Sequence, residues 1–154
     1  MEKDFKYFGE KLGNWAHGIG FEGINVQLGD YSEYDREKCL ITLGMAAQEE
    51  TMRLYKSFLE ERYGIEGLSP CPQQFLSFLH ELGHAATLEN FGETELLCYE
   101  WLKEGASSYR SYWCVPDEEA ANEWVVEFLL DEGNEVAIEQ LWAIVVELGL
   151  TFVI

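Results

Sequence analysis

The chain has 154 residues, 29 of them acidic against 10 lysines and arginines, for a formal net charge of -19 at neutral pH. An apolar content of 47%, with five tryptophans, eight tyrosines and nine phenylalanines, excludes a disordered chain and predicts one domain over 1–154 with a strongly acidic surface. Such a surface repels phosphate backbones, which argues against direct nucleic-acid binding, and it draws in basic proteins or peptide segments.

In chain order, "KDFKYFGEKL" (3–12) reads as a weak helix ending near Gly13. It has no apolar stretch of signal-peptide type. No later run has the length of a membrane span, so a cytoplasmic protein without membrane association is expected. In "GFEGINVQLGDY", Phe21, Ile24, Val26 and Leu28 predict a short strand, and "KCLITLGM" (38–45) predicts a second. With the charged turn "GDYSEYDRE" between them, the two read as an antiparallel hairpin.

"AAQEETMRLYKSFLEERY" (46–63) spaces Met52, Tyr55, Phe58, Leu59 and Tyr63 at helical intervals before Gly64 ends the run. Pro72 suits the start of the next helix, which reaches about Asn90. "TELLCYEWLKE" (94–104), with Thr94 as N-cap, is a further helix, followed by "SSYRSYW" and two last helices over 116–132 and 134–150. The fold class expected is α+β, roughly 55 to 60% helix with a small antiparallel sheet, well above the usual helical share.

Cys39, Cys71, Cys98 and Cys114 form no CxxC or CxxH pair, which argues against a zinc ribbon. They are expected as reduced, buried, small apolar side chains.

The chemistry concentrates in "HELGH", residues 80–84. On a helix His80 and His84, at i and i+4, project from one face and can grip a single ion, for which zinc is the expected metal. Glu81 sits about 100° round the helix, beside the metal, where it can act as general base towards a water. Most of the helix circumference is apolar, so it is expected to be buried, and two neutral histidines there need partners. Gly83 in mid-helix costs about 1 kcal/mol relative to alanine and signals a close neighbour. The bland alternative is a pair of core histidines bonded to carbonyls, with Glu81 in solvent. His17, followed by glycine in "NWAHGIG", is expected to be a solvated or core histidine and no ligand.

A catalytic zinc needs a third protein ligand. After His84 comes "AATLENF", which supplies no histidine, so a carboxylate is expected. "VPDEEAANEWVVEFL" offers Asp117, Glu118, Glu119 and Glu123. The apolar face of that helix runs through Val115, Ala121, Trp124, Val125 and Phe128, and Glu118 lies on that side, with Glu119 further round as the reserve. The competing reading is that these acids only complement the helix dipole.

"HELGH" followed some thirty residues later by "EEAAN" and an apolar helix resembles the gluzincin type of HExxH metallopeptidase, and most closely the ImmA/IrrE-type metallopeptidases. In that family the second helix carries a Glu-x-x-Ala-Asn motif whose glutamate is the third zinc ligand. Glu118, Ala121 and Asn122 fill that pattern here, and the resemblance spans 75–130. It departs in "EW" after Asn122, where the family has Phe-Ala, and in "LLDEGN", where the family has a proline. The resemblance implies a zincin-like fold, a zinc cofactor, a protein or peptide substrate and a tyrosine or histidine that stabilises the oxyanion. Tyr109 is the first candidate for that role and Tyr112 the second. Relatives cleave DNA-binding repressors, which by analogy points to a basic substrate segment, and residues 38–44 are the expected substrate-binding edge strand.

Two other readings remain at this point. One is a small acidic binding or inhibitor protein that mimics nucleic acid, as phage-derived inhibitors do, with a structural or vestigial metal. The other is a metal-dependent hydrolase acting on something other than peptides.

Overall fold

In the computed structural model, which describes residues 4–68, 70–148 and 154, helix α1 spans Phe5–Gly18 and does not stop near Gly13. Asp4 caps it, its carboxylate accepting from Tyr7 N at 3.0 Å. The expected break fails because the helix glycines face a strand. A Cβ on Gly9 would stand 2.8 Å from Val26 O, so the missing side chain lets helix and strand approach. Tertiary packing outweighs glycine's poor intrinsic propensity.

Strands β1 (Asn25–Gly29), β2 (Glu33–Asp35) and β3 (Leu40–Gly44) form a mixed sheet in the order β1-β3-β2. The antiparallel hairpin expected between the first and last of these is not formed. β1 runs parallel to β3, with Asn25 opposite Leu40 and Gly29 opposite Gly44. The antiparallel partner of β3 is β2, which lies inside the stretch taken for a charged turn. Three residues with two acids carry no apolar alternation, so β2 left no sequence signal. The tight turn into β3 passes through Cys39, which adopts a left-handed φ of 49°, unique among the described non-glycine residues. Because β3 is paired on both sides, it cannot be the edge strand expected over 38–44. The edges of the sheet are β1 and β2.

Helices α2 (Glu49–Tyr63), α3 (Gln73–Thr87), α4 (Glu93–Glu104), α5 (Tyr109–Trp113), α6 (Pro116–Leu130) and α7 (Glu135–Glu147) follow. The molecule is 66% helical, above the expected share because α1 runs on and α5 forms its own turn. It is a mainly helical α+β fold, as expected. Lys3, at the start of the first expected helix, and residues 149 and 150, at the end of the last, lie outside the described residues. Pro72 caps α3 in extended conformation, and Gly64 ends α2 in the left-handed region. Thr94 is not the cap of α4. Gly92 holds that position, and Glu95 reaches back to accept from Gly92 N at 3.1 Å.

Ile41 and Leu43 of β3 are fully buried, together with Leu76, Phe78, Leu79 and Leu82 of α3. Trp15 of α1 closes this core. Its ring meets Phe78 and Phe128, and its indole N–H donates to Ala137 O at 2.8 Å. Buried Gln73 tethers the start of α3, accepting from Gln48 N and donating to Ala46 O. The close neighbour that Gly83 signalled is α6. A Cβ on Gly83 would lie 2.5 Å from Ala121 O and 3.0 Å from Ala121 Cα. Three of the four cysteines, Cys39, Cys98 and Cys114, are exposed, against expectation, and only Cys71 is buried. Helix α4 has no buried residue, so Cys98 has no core to enter.

Two measurements check this packing. At an unconstrained mid-helix site Gly→Ala gains about 1 kcal/mol, whereas Gly83→Ala should lose about 1–3 kcal/mol in urea unfolding because α3 and α6 must part. Burial pushes the Cys71 thiol up to about 11, so it holds little thiolate at pH 8. A disulfide reagent at pH 8 should titrate three thiols in the native protein and the fourth only on unfolding.

Candidate metal centre

The contact between Gly83 and Ala121 sets the donors. His80 and His84 lie three residues before and one after Gly83, and Glu118 and Asn122 lie three before and one after Ala121. Two helices crossing antiparallel at that point therefore put each polar pair opposite the other. Glu118 Oε1 is 3.4 Å from His80 Nε2, and Glu118 Oε2 is 2.5 Å from His84 Nε2. The imidazole centroids are 4.7 Å apart with the rings nearly perpendicular.

The state of His80 follows from its other nitrogen. Asn122 donates its amide N–H to Trp113 O at 3.3 Å, which turns Asn122 Oδ1 towards His80. The Tyr55 hydroxyl donates to that oxygen at 2.6 Å. His80 Nδ1, 3.0 Å from Asn122 Oδ1 and 2.9 Å from Tyr55 O, thus faces acceptors and carries the proton. In the neutral ring Nε2 is then a bare lone pair aimed at Glu118. Holding a ligating imidazole in one tautomer by hydrogen-bonding its far nitrogen is how metal sites orient histidines.

The donor chemistry, imidazole nitrogens beside carboxylate oxygens, is of a kind that zinc takes. Nitrogen and oxygen donors at about 2.0–2.1 Å from one tetrahedral ion stand about 3.3–3.4 Å apart. The pair His80 Nε2 and Glu118 Oε1 has this separation, whereas Glu118 Oε2 and His84 Nε2, at 2.5 Å, are in hydrogen-bond contact and would have to part to share an ion. His84 Nδ1 is buried with no hydrogen-bond partner among the described residues, a polar atom left over at the donor set. Two overlapping groups, His80/Glu81/His84 and His84/Asp117/Glu118, each have their ligand atoms within 4.8 Å of one another.

Electrostatics tie these groups together. Burial alone would raise the Glu118 carboxyl, but hydrogen bonds and charge from His80 and His84 hold it well below the usual carboxylate range. Burial alone would lower His80, and its pairing with Glu118, aided by Glu81 and Asn122, raises it instead. A metal at this site would therefore compete with protons for the same imidazole nitrogen. Burial raises the Glu81 carboxyl, with both histidines opposing.

The other expected residues separate clearly. Glu119 turns outward to Arg62, 3.1 Å away, and Glu123 is exposed. Asp117 is buried and accepts from Lys103 Nζ at 2.6 Å. His17 is exposed, with Nε2 2.7 Å from Ile24 O, so it is committed to a carbonyl. Tyr109 and Tyr112 both line the cleft that opens onto Glu81. Tyr109 is half exposed and stacks on Trp113 at 5.5 Å. Tyr112 lies deeper, and burial together with the charge of Glu118 and Glu81 raises its hydroxyl pKa.

The cleft has two halves, of about 220 and about 280 Å3, which share Ser32, Glu81, Tyr112 and Glu118. One half is lined by Met52, Tyr55 and Trp113, and the other by Glu33, Glu100, Asp117 and Lys103. Edge residues Ser32, Glu33 and Tyr34 form a wall of it. Sequence reasoning missed Tyr55, Lys103 and this wall. Tyr55 had a usable signal, because a tyrosine on a buried helical stripe needs a partner for its hydroxyl.

No family model matches the chain, no curated protein matches it, and no solved structure matches it.

The tautomer network is open to test by unfolding in the presence of a chelator. Tyr55→Phe should cost about 1 kcal/mol, the net worth of one hydrogen bond. Asn122→Leu should cost more, about 1–3 kcal/mol, because the Tyr55 hydroxyl and His80 N–H lose their shared acceptor in the core.

Proposed function

We propose that the chain is a zinc-dependent metallopeptidase of gluzincin type, hydrolysing a peptide bond in a protein substrate, with His80, His84 and Glu118 holding the metal. The observation that carries this reading is the convergence of Glu118 on Nε2 of His80 and on Nε2 of His84, with Glu81 buried beside them at the floor of an open cleft. A buried ion pair built only for stability is a poor use of three titratable groups, and a site kept open to solvent is typical of catalysis.

Zinc, when bound, would supply Lewis-acid polarisation of a substrate carbonyl and would make a water acidic enough to lose a proton near neutrality. Glu81 would take the proton of the attacking water and deliver it to the departing amine; its raised pKa suits a group that must do both. Tyr112, kept protonated by burial, can donate to the carbonyl oxygen as charge develops there. Tyr109 and Trp113 form an aromatic shelf at the apolar half of the cleft. β2, being the edge strand beside Glu81 and His84, is suited to bind extended substrate through its main chain. The acidic surface favours a basic segment, of the kind found in DNA-binding proteins.

The acidic binding-protein reading draws on the charge of -19. It makes no use of Glu81, Asp117 and Glu118, which are buried. Among the described residues no helix is long and apolar enough to cross a membrane.

Zinc content after dialysis tests the proposal: near one ion per chain in the wild type and clear loss in Glu118→Ala, with circular dichroism confirming that both are folded. Glu81→Gln should keep its zinc and lose at least about a hundredfold in hydrolysis of a dye-labelled basic protein. Full activity in Glu81→Gln, or a folded wild type that takes up no zinc, overturns it.

A further inference from the structure

One charged group on the cleft floor has no part in the proposed reaction. Lys103, at the end of α4, reaches across to α6, where its ammonium lies 2.6 Å from Asp117 Oδ2 and 3.4 Å from Glu118 Oε2. Its side chain is only 17% exposed. Among the residues lining the two halves of the cleft it is the sole lysine or arginine, in a chain where acids outnumber bases nearly three to one. α4 buries no residue, and Lys103 meets α6 through these two ion pairs. The stem passes Tyr112, with the ammonium 5.7 Å from the ring centroid.

Chemistry says what an ammonium does there. It is a compact, donor-only unit charge, and Asp117 and Glu118 are adjacent buried carboxylates that repel each other unless a cation stands between them. The oxygen of Glu118 that faces Lys103 is the same Oε2 that contacts His84. A divalent ion held by His80, His84 and Glu118 would draw on that carboxylate's charge and repel the ammonium next to it.

We infer that Lys103 is a positioning residue that acts as the site's own counter-cation: it holds Asp117 and Glu118 in the metal-free chain and competes with the metal for Glu118. The competition rests on the metal reading above, while the counter-cation role rests on the two ion pairs alone. Metal loading then loosens Lys103 from Glu118, and the charge of one lysine sets how tightly the site binds.

The test compares wild type with Lys103→Met, which keeps the stem and removes the charge, and with Lys103→Arg, which keeps the charge. Zinc affinity is read by competition with a chromogenic chelator, and thermal unfolding is read in excess chelator. Lys103→Met should bind zinc at least about tenfold more tightly and melt several degrees lower when metal-free, while Lys103→Arg stays close to wild type on both. A second measurement needs no variant: acetylation of Lys103 in the wild type, followed by mass spectrometry, should speed up when zinc is added. Zinc binding by both wild type and Lys103→Met, with equal or weaker affinity in the variant, overturns the inference and leaves the metal centre standing. Unchanged Lys103 labelling on zinc binding does the same. Zinc bound by neither protein overturns the metal reading and the competition with it.

Discussion

The missing side chain at Gly83 is the constraint on which the site depends. There α3 and α6 come so close that an added Cβ would collide with backbone, at Ala121 O and Cα. Helical periodicity does the rest, since residues three before and one after a contact point share its face. On α3 those residues are His80 and His84, and on α6 they are Glu118 and Asn122. One small residue on each helix thus fixes four polar side chains to within hydrogen-bonding distance, without any loop to position them.

That arrangement is expensive in charge and economical in partners. Glu81, Asp117 and Glu118 are all buried, and the side chains that face them are one lysine and two imidazoles. Asn122 is the neutral member that makes the group specific. By donating to Trp113 O it has one oxygen left to offer, and that oxygen collects both Tyr55 and His80. The network packs on an aromatic bed, where Tyr55 meets Trp113 and Trp113 meets Phe58. Low dielectric strengthens each of these bonds and makes any unpaired member costly, so the site holds together as a unit.

Much of this was legible because it is local. The pair His80 and His84, the need for an unusually close neighbour at Gly83 and the choice of Glu118 over Glu119 all follow from positions along a single helix. What was not legible depends on where elements meet. The parallel pairing of β1 with β3 is a matter of topology, and β2 is too short and too polar to register as a strand. α1 passes Gly13 because β1 lies against it, which propensity cannot foresee. Lys103 and Tyr55 each read as ordinary members of their own helices, and acquire a role only through contacts with α6 and α3. The cysteines misled for a related reason: average burial of a residue type says little about an exposed helix such as α4.

The left-handed turn at Cys39 reaches further than its place at the surface suggests. Side chains on a strand alternate, so a slip of β3 by one residue would turn Ile41 and Leu43 off the core face and put polar Thr42, buried on the other face, in their place. The turn between β2 and β3 prevents that slip, and Cys39 holds the turn at a φ that residues with a side chain adopt at a cost. Because β2 is tied to β3 through this turn, the same few atoms decide how far Ser32, Glu33 and Tyr34 stand along α3. A strained backbone position at the far end of the hairpin thereby acts as the index mark for one wall of the cleft, and a glycine there would relax the mark while leaving every contact at the metal centre untouched.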